Sequence, residues 1–360
     1  MRTLRGWPAA LGALALAAGA LGCAALQGPG TPGPRSGRRA AALDPVLTIE
    51  LNGIVHGVAF APDGKTLATA SSDRLVRLWD AASGQERRSL RGHLGNVSSV
   101  AFAPDGKTLA SGSRDQTARL WVAASGEPGV TLDGQRAEPV STTSGVVVVA
   151  FAPDGKTLAS TANGSSPVRS DGVIHLWDPA AGKKKATLRG HRGPVLCLAW
   201  APDGRTLTSG GFDKTVRSWE AATGQERSRL TGQVGAVVSV AYAADGKTLA
   251  VSARDLNAPG DRAEVSLWDV ARGKARASVP GYGSEGPVAF SPDGRWLACP
   301  AKGGGVRLLA ARTGAEEARL ATPYEGVNCL AFSRDGKRLA AGHNATRVSV
   351  WDLARLRAAL

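Results

Sequence analysis

Two sets of serine, histidine and aspartate stand out in this chain: His93 with Ser111 and Asp115, and His191 with Ser209 and Asp213. These are the residue types of a hydrolytic triad, in which a carboxylate orients an imidazole that takes the proton of a nucleophilic hydroxyl. A single active site has no reason to occur twice, and each set is accompanied by a tryptophan, Trp121 and Trp219. The pattern reads instead as a buried relay of hydrogen bonds, from indole N–H through hydroxyl and imidazole to carboxylate, which satisfies polar groups away from water. Gly281-Tyr282-Gly283-Ser284-Glu285-Gly286 spells GxGxxG, but a dinucleotide fingerprint needs a helix after it, and PVAFSPDG reads as another strand. His56, His175 and His343 lack ligand spacing, and no GxSxG, P-loop, HExxH or calcium-loop pattern occurs. No catalytic residue, metal or cofactor is expected.

What must position these groups is a repeat. The motif AFAPDGKTLA recurs with its aspartate at Asp63, Asp105, Asp154, Asp203, Asp245, Asp293 and Asp335. A second motif, close to RLWD, places Trp79, Trp121, Trp177, Trp219, Trp268 and Trp351, with Leu309 in the sixth slot. Asp to Trp spans 16 residues in most repeats and Trp to the next Asp spans 26, a period of 42. That length suits four-stranded propeller blades. Three departures are insertions of seven residues each, and the gap from Trp268 to Asp293 is one residue short. VSSVAF and RTLTSG read as short alternating strands, and PDGK between them as a tight turn. No stretch carries a helical period, and a lone four-stranded sheet cannot bury both faces, so the units must stack into a ring. VLTIEL, Val46 to Leu51, sits where an outer strand would precede the first repeat, and is expected to complete the last one and remove its open edge.

Composition agrees with a folded repeat protein: 21% charged residues, 43% hydrophobic and 46 glycines for many turns. Trp is frequent at 9 beside only 3 Tyr, which suggests a fixed structural job. The formal net charge is +14, spread along every repeat, and Lys183-Lys184-Lys185 reads as a solvated corner at a turn. A basic surface suits an acidic protein partner; a nucleic-acid partner is not expected, and the chain is expected to be monomeric. Arg2 and Arg5 precede an apolar run, Ala9 to Leu21, that is too short to cross a bilayer and ends in Ala20-Leu21-Gly22-Cys23. Residues 1–23 are therefore expected to be a signal peptide with a lipobox-like cysteine, with diacylation at Cys23 giving a lipid anchor to the membrane. Simple secretion is the other reading. Residues 24–44 read as a flexible Gly/Pro/Arg tether and 45–360 as the folded ring, exported to a bacterial cell envelope. Cys197, Cys299 and Cys329 form neither a disulfide framework nor a zinc site, and read as small buried hydrophobes.

From about Val46 to Leu353 the chain resembles the WD-repeat family. The resemblance implies an all-β, seven-bladed propeller of four-stranded antiparallel blades, with the N-terminal strand closing blade seven. It implies a structural tetrad in two blades, His93, Ser111, Asp115 and Trp121, then His191, Ser209, Asp213 and Trp219. Blade one keeps a partial set, Thr69, Asp73 and Trp79. Gln135 and Gln233 stand for the histidine elsewhere, and blades six and seven lack most of the set. It further implies a non-catalytic scaffold that binds a protein or peptide on the face formed by the loops before the first and third strands. The insertions near Gln135 to Ser144, Asn163 to Ser170 and Asp255 to Arg262 fall in those loops. Arg114, Phe212 and Arg254, with Arg136 and Arg169 in the insertions, are the expected partner-binding residues. The rival readings are an enzyme or ligand-binding propeller using the central channel, and a binder of an anionic polymer or lipid surface.

Overall fold

The Pro-Asp-Gly-Lys segments set the first hairpin of each repeat. In the computed structural model, which describes residues 41–133, 148–163, 172–255, 262–282, 286–301 and 303–357, the Asp63 carboxylate accepts the Lys65 backbone N–H at 2.9 Å. Gly64 takes a φ of 69°, which a side chain would resist. The same bond recurs at Asp105, Asp154, Asp203, Asp245, Asp293 and Asp335, at 2.8–3.1 Å.

Two short strands open the described chain, β1 (Ala41–Leu43) and β2 (Leu47–Glu50). Blade one is β3 to β6 (Val55–Phe60, Thr66–Ser71, Val76–Asp80, Glu86–Leu90), and blade two is β7 to β10 (Val97–Phe102, Thr108–Ser113, Ala118–Val122, Pro128–Leu132). Blade three is β11 to β14 (Val149–Phe151, Leu158–Ala162, Gly172–Asp178, Lys183–His191), and blade four β15 to β18 (Val195–Trp200, Thr206–Gly211, Val216–Glu220, Glu226–Leu230). Blade five is β19 to β22 (Ala236–Tyr242, Thr248–Asp255, Arg262–Asp269, Lys274–Tyr282), and blade six β23 to β26 (Ala289–Phe290, Trp296–Pro300, Val306–Ala310, Glu316–Leu320). Blade seven is β27 to β29 (Val327–Phe332, Arg338–His343, Arg347–Asp352) with β2 as its outer strand. The seven antiparallel sheets form a ring, as the repeat implies.

The core lies between blades. Ala68, Leu78 and Leu90 of blade one pack with Val97, Leu109 and Trp121 of blade two in one cluster. Each such side chain contributes about 1.5–3 kcal/mol through burial, so neighbouring blades stabilise one another and no blade has a core of its own. Ring closure follows the same rule. β2 pairs antiparallel with β29, Leu47 opposite Val350 and Glu50 opposite Arg347. Ile49 and Leu51 are buried with Val55 and Trp79 of blade one and Val348 and Val350 of blade seven.

Two details differ from the sequence reading. Ala41–Leu43, expected in the tether, is a strand: β1 adds in parallel to β26 as a fifth strand of blade six, and Leu43 packs on its core. A single-turn helix, α1 (Ala354–Arg357), follows blade seven and buries Leu356. Four residues are too few to show a helical period. Cys23 and the rest of the expected signal and tether up to residue 40 lie outside the described residues.

Candidate docking face and its tetrads

The two complete sets form continuous relays. In blade two, Trp121 Nε1–H donates to Ser111 Oγ at 2.8 Å, Ser111 Oγ lies 2.7 Å from His93 Nε2, and His93 Nδ1 lies 2.8 Å from Asp115. In blade four the indole bond of Trp219 to Ser209 is 2.8 Å, Ser209 to His191 is 2.7 Å, and His191 to Asp213 is 3.0 Å. With a neutral imidazole, the carboxylate can only accept, so Nδ1 carries the proton and Nε2 accepts from the hydroxyl, which itself accepts the indole N–H. The hydroxyl oxygen thus accepts an indole proton and is fully buried in both blades, so it is no nucleophile.

Each relay ends by fixing the loop that precedes its blade. Asp115 accepts the backbone N–H of Leu94 at 2.8 Å, and Asp213 that of Arg192 at 2.9 Å. Burial alone would raise both carboxylates, but hydrogen bonds from the histidine, from Thr117 or Thr215, and from those backbone groups hold them well below the usual range. The threonines, at 2.7 and 2.8 Å from their aspartates, were missed from sequence, although Asp-x-Thr recurs in both blades. The loops between blades and the turns between second and third strands therefore share one face: Arg114 N–H also bonds Asn96, and Phe212 N–H bonds Pro194.

Other blades solve the same problem differently. In blade one Trp79 donates to Thr69 at 2.9 Å, but no histidine continues the relay, and Asp73 instead pairs with the buried Arg77 at 2.7 Å. In blade three Trp177 donates to Ser160 at 2.8 Å, with His175 edge-on to the indole. Val251 replaces the hydroxyl in blade five, so Trp268 turns to Ser266 at 2.7 Å. Cys299 fills that slot in blade six, where Leu309 takes the tryptophan position, and Trp296, on the second strand, donates to Glu317. In blade seven Ala341 holds the slot and Trp351 donates to the Ala321 carbonyl at 3.2 Å, while His343 lies 3.0 Å from Ser349 and against Tyr324. Blades six and seven are thus tied by local networks that no shared motif announces.

Of the expected partner-binding residues, Arg114 and Phe212 lie half-buried at equivalent turns, and Phe212 is not the exposed aromatic the sequence suggested. Arg254 is a correction: it is 7% exposed and belongs to the core of the blade. β20 runs eight residues where β4, β8, β16 and β28 run six, so Arg254 is held inside the ladder opposite Ala236 and Ala263. Arg136, Arg169 and the bodies of the three insertions lie outside the described residues. The residue after the turn aspartate was also missed. Arg74, Gln116 and Lys214 hold it with φ of 71°, 67° and 62°, a left-handed backbone rare for L residues, and Arg74 and Lys214 are exposed. On the opposite face a cleft of about 500 Å³ opens between blades one and two, among Pro62, Asp63, Arg88, Phe102 and Asp105. Among the described residues no group of three or more His, Cys, Asp and Glu is arranged for a metal.

Comparison with known proteins places these observations. The WD domain, G-beta repeat, matches residues 44–80, 84–122, 128–178, 182–220 and 318–352, more than half of the chain. The unmatched stretch covers blades five and most of six, where valine and cysteine have replaced the tetrad hydroxyl. A periodic tryptophan protein 2 homolog from Neurospora crassa is 25% identical over 180 residues, 50% of this chain and 17% of its own length. The nuclear distribution protein PAC1 of Coccidioides posadasii is 31% identical over 165 residues, 46% of this chain and 34% of its own. A probable serine/threonine-protein kinase, PkwA of Thermomonospora curvata, is 44% identical over 48 residues, 13% of this chain and 6% of its own. The chain thus spans about a third or less of the length of these relatives.

Proposed function

The chain belongs to the WD40 family of β-propellers, and from that premise we propose that it is a non-catalytic scaffold, displayed at a bacterial cell envelope, that docks a protein or peptide on the tetrad-supported face. WD40 propellers commonly bind protein partners. The observation that carries the reading is the use of the Ser, His and Asp groups: both relays are consumed in holding Leu94 and Arg192 in place. Display at the envelope rests on the segment ending at Cys23, whose acylation would supply several buried methylenes at about 0.8 kcal/mol each. The tether would then hold the ring off the membrane. The PkwA match covers only 6% of that protein and supports no kinase activity for this chain.

Affinity capture from membranes tests both parts. The chain with Phe212→Ala and Lys214→Glu should lose its partner while keeping its melting temperature, and Cys23→Ser should move the protein from the membrane to the soluble fraction. Unchanged capture by the first variant would overturn the face, and unchanged fractionation of the second would overturn the anchor.

A further inference from the structure

On the docking face over blades one and two, the turn carboxylates Asp73 and Asp115 are half-buried and already partnered. Asp73 is spent on Arg77, Ser71 and the Leu75 N–H, and Asp115 on His93, Thr117 and the Leu94 N–H. Arg74, Arg91 and Arg114 have no ion pair among the described residues, and Arg91 is exposed. Arg114 is close enough to His56, on the innermost strand of blade one, to act on it electrostatically. Leu94, three residues after Arg91 and bonded to the residue that follows Arg114, is 80% exposed, the most exposed large hydrophobic side chain of the described structure.

That leucine is held rigidly. Its N–H is bonded to Asp115. A Cβ on the following Gly95 would sit 2.7 Å from the Asp115 N, so the loop lies close against the neighbouring turn. An apolar side chain on an anchored backbone, on a face that also carries unpaired guanidinium groups, loses less conformational entropy when it is covered than one on a free loop. Guanidinium groups also meet carboxylates with a two-pronged fork that an ammonium cannot offer. The opposite face differs: Asp63 and Asp105, beside its exposed Lys65 and Lys107, are themselves exposed, whereas Asp73 and Asp115 are half-buried.

Resting on the docking-face reading, we propose that the surface of Arg74, Arg91, Leu94 and Arg114 receives an acidic segment of a partner protein, with carboxylates on the arginines and an apolar side chain against Leu94. Its specificity is for clustered carboxylates beside a hydrophobic residue. A lipid surface would recruit the cations of both faces, whereas a short segment needs this cluster alone.

The test is a fluorescence-anisotropy titration of the purified chain with a labelled peptide of interspersed Glu and Leu. Replacing Arg74, Arg91 and Arg114 together by Glu should weaken binding by about tenfold or more, and Leu94→Ser should weaken it severalfold, both with unchanged melting temperature. Lys65→Glu with Lys107→Glu should bind as wild type. Three results would each overturn the proposal: equal binding of a peptide with Gln for every Glu, equal loss in the Lys65/Lys107 variant, or arginine-dependent capture by phosphatidylglycerol vesicles in place of the peptide. If the peptide fails while Phe212→Ala with Lys214→Glu still abolishes partner capture, the acidic segment falls and the docking face stands.

Discussion

Ser111→Ala is the sharpest probe of the relay. Ser111 is fully buried, and its hydroxyl serves two buried groups, the Trp121 N–H at 2.8 Å and His93 Nε2 at 2.7 Å. Removing it strands both, and a buried polar group left without a partner costs about 1–3 kcal/mol, so the loss should be roughly 2–6 kcal/mol. Ser209→Ala in blade four repeats the geometry and should cost the same within about 1 kcal/mol. Thr69→Val in blade one is the control: its hydroxyl serves Trp79 alone, so only one group is stranded, at about 1–3 kcal/mol. Urea unfolding followed by tryptophan fluorescence, with the denaturant slope held fixed, reads these differences as shifts in midpoint. A Ser111→Ala cost no larger than that of Thr69→Val would refute the relay. So would simple additivity of Ser111→Ala with Trp121→Phe, because neighbours in one network must couple.

Trp121→Ala should cost about 3–5 kcal/mol in the same assay, since a large buried ring and its network go together. Burial holds His343 and His56 neutral, with pKa values pushed down to about 4 from 6.5, Arg114 adding to the shift at His56. Their contribution is full above pH 6.5 and lost as pH falls toward 4, so the melting temperature should drop across that window. His343→Leu should reduce the drop, and Asp115 and Asp213, whose pKa values are depressed, should add a further loss below the ordinary aspartate range. Ile49→Asp puts a charge into the closing core and frees the edge of β29, so size-exclusion chromatography should show self-association. The thiols of Cys197, Cys299 and Cys329 are buried and pushed up to about 12, 11 and 12, and should resist thiol reagents until the ring unfolds.

The fold was legible because a ring of blades repeats its physical requirements. The turn aspartate recurs wherever a hairpin must reverse, and the tryptophan wherever an indole must fill the gap to the next blade. The clasp at Val46 to Leu51 was legible for a related reason: blade seven ran out of chain before its fourth strand, and an unclaimed alternating segment lay at the other end. The tetrads were legible only where all four members kept their register. Blade seven's use of His343 and Ser349 carries no such register, because the histidine comes from a different strand end.

Sequence alone therefore determined the number of blades, the strand order, the closing strand and the two relays, since each follows from a local period of residue types. Tertiary structure decided exposure. It buried Arg254 by lengthening one strand by two residues, drew Ala41–Leu43 out of the expected tether into an edge, and left Leu94 exposed. A repeat fixes where a residue falls within its blade. Whether its side chain meets water or a neighbour depends on the length of the strand beside it and on the blade across the gap.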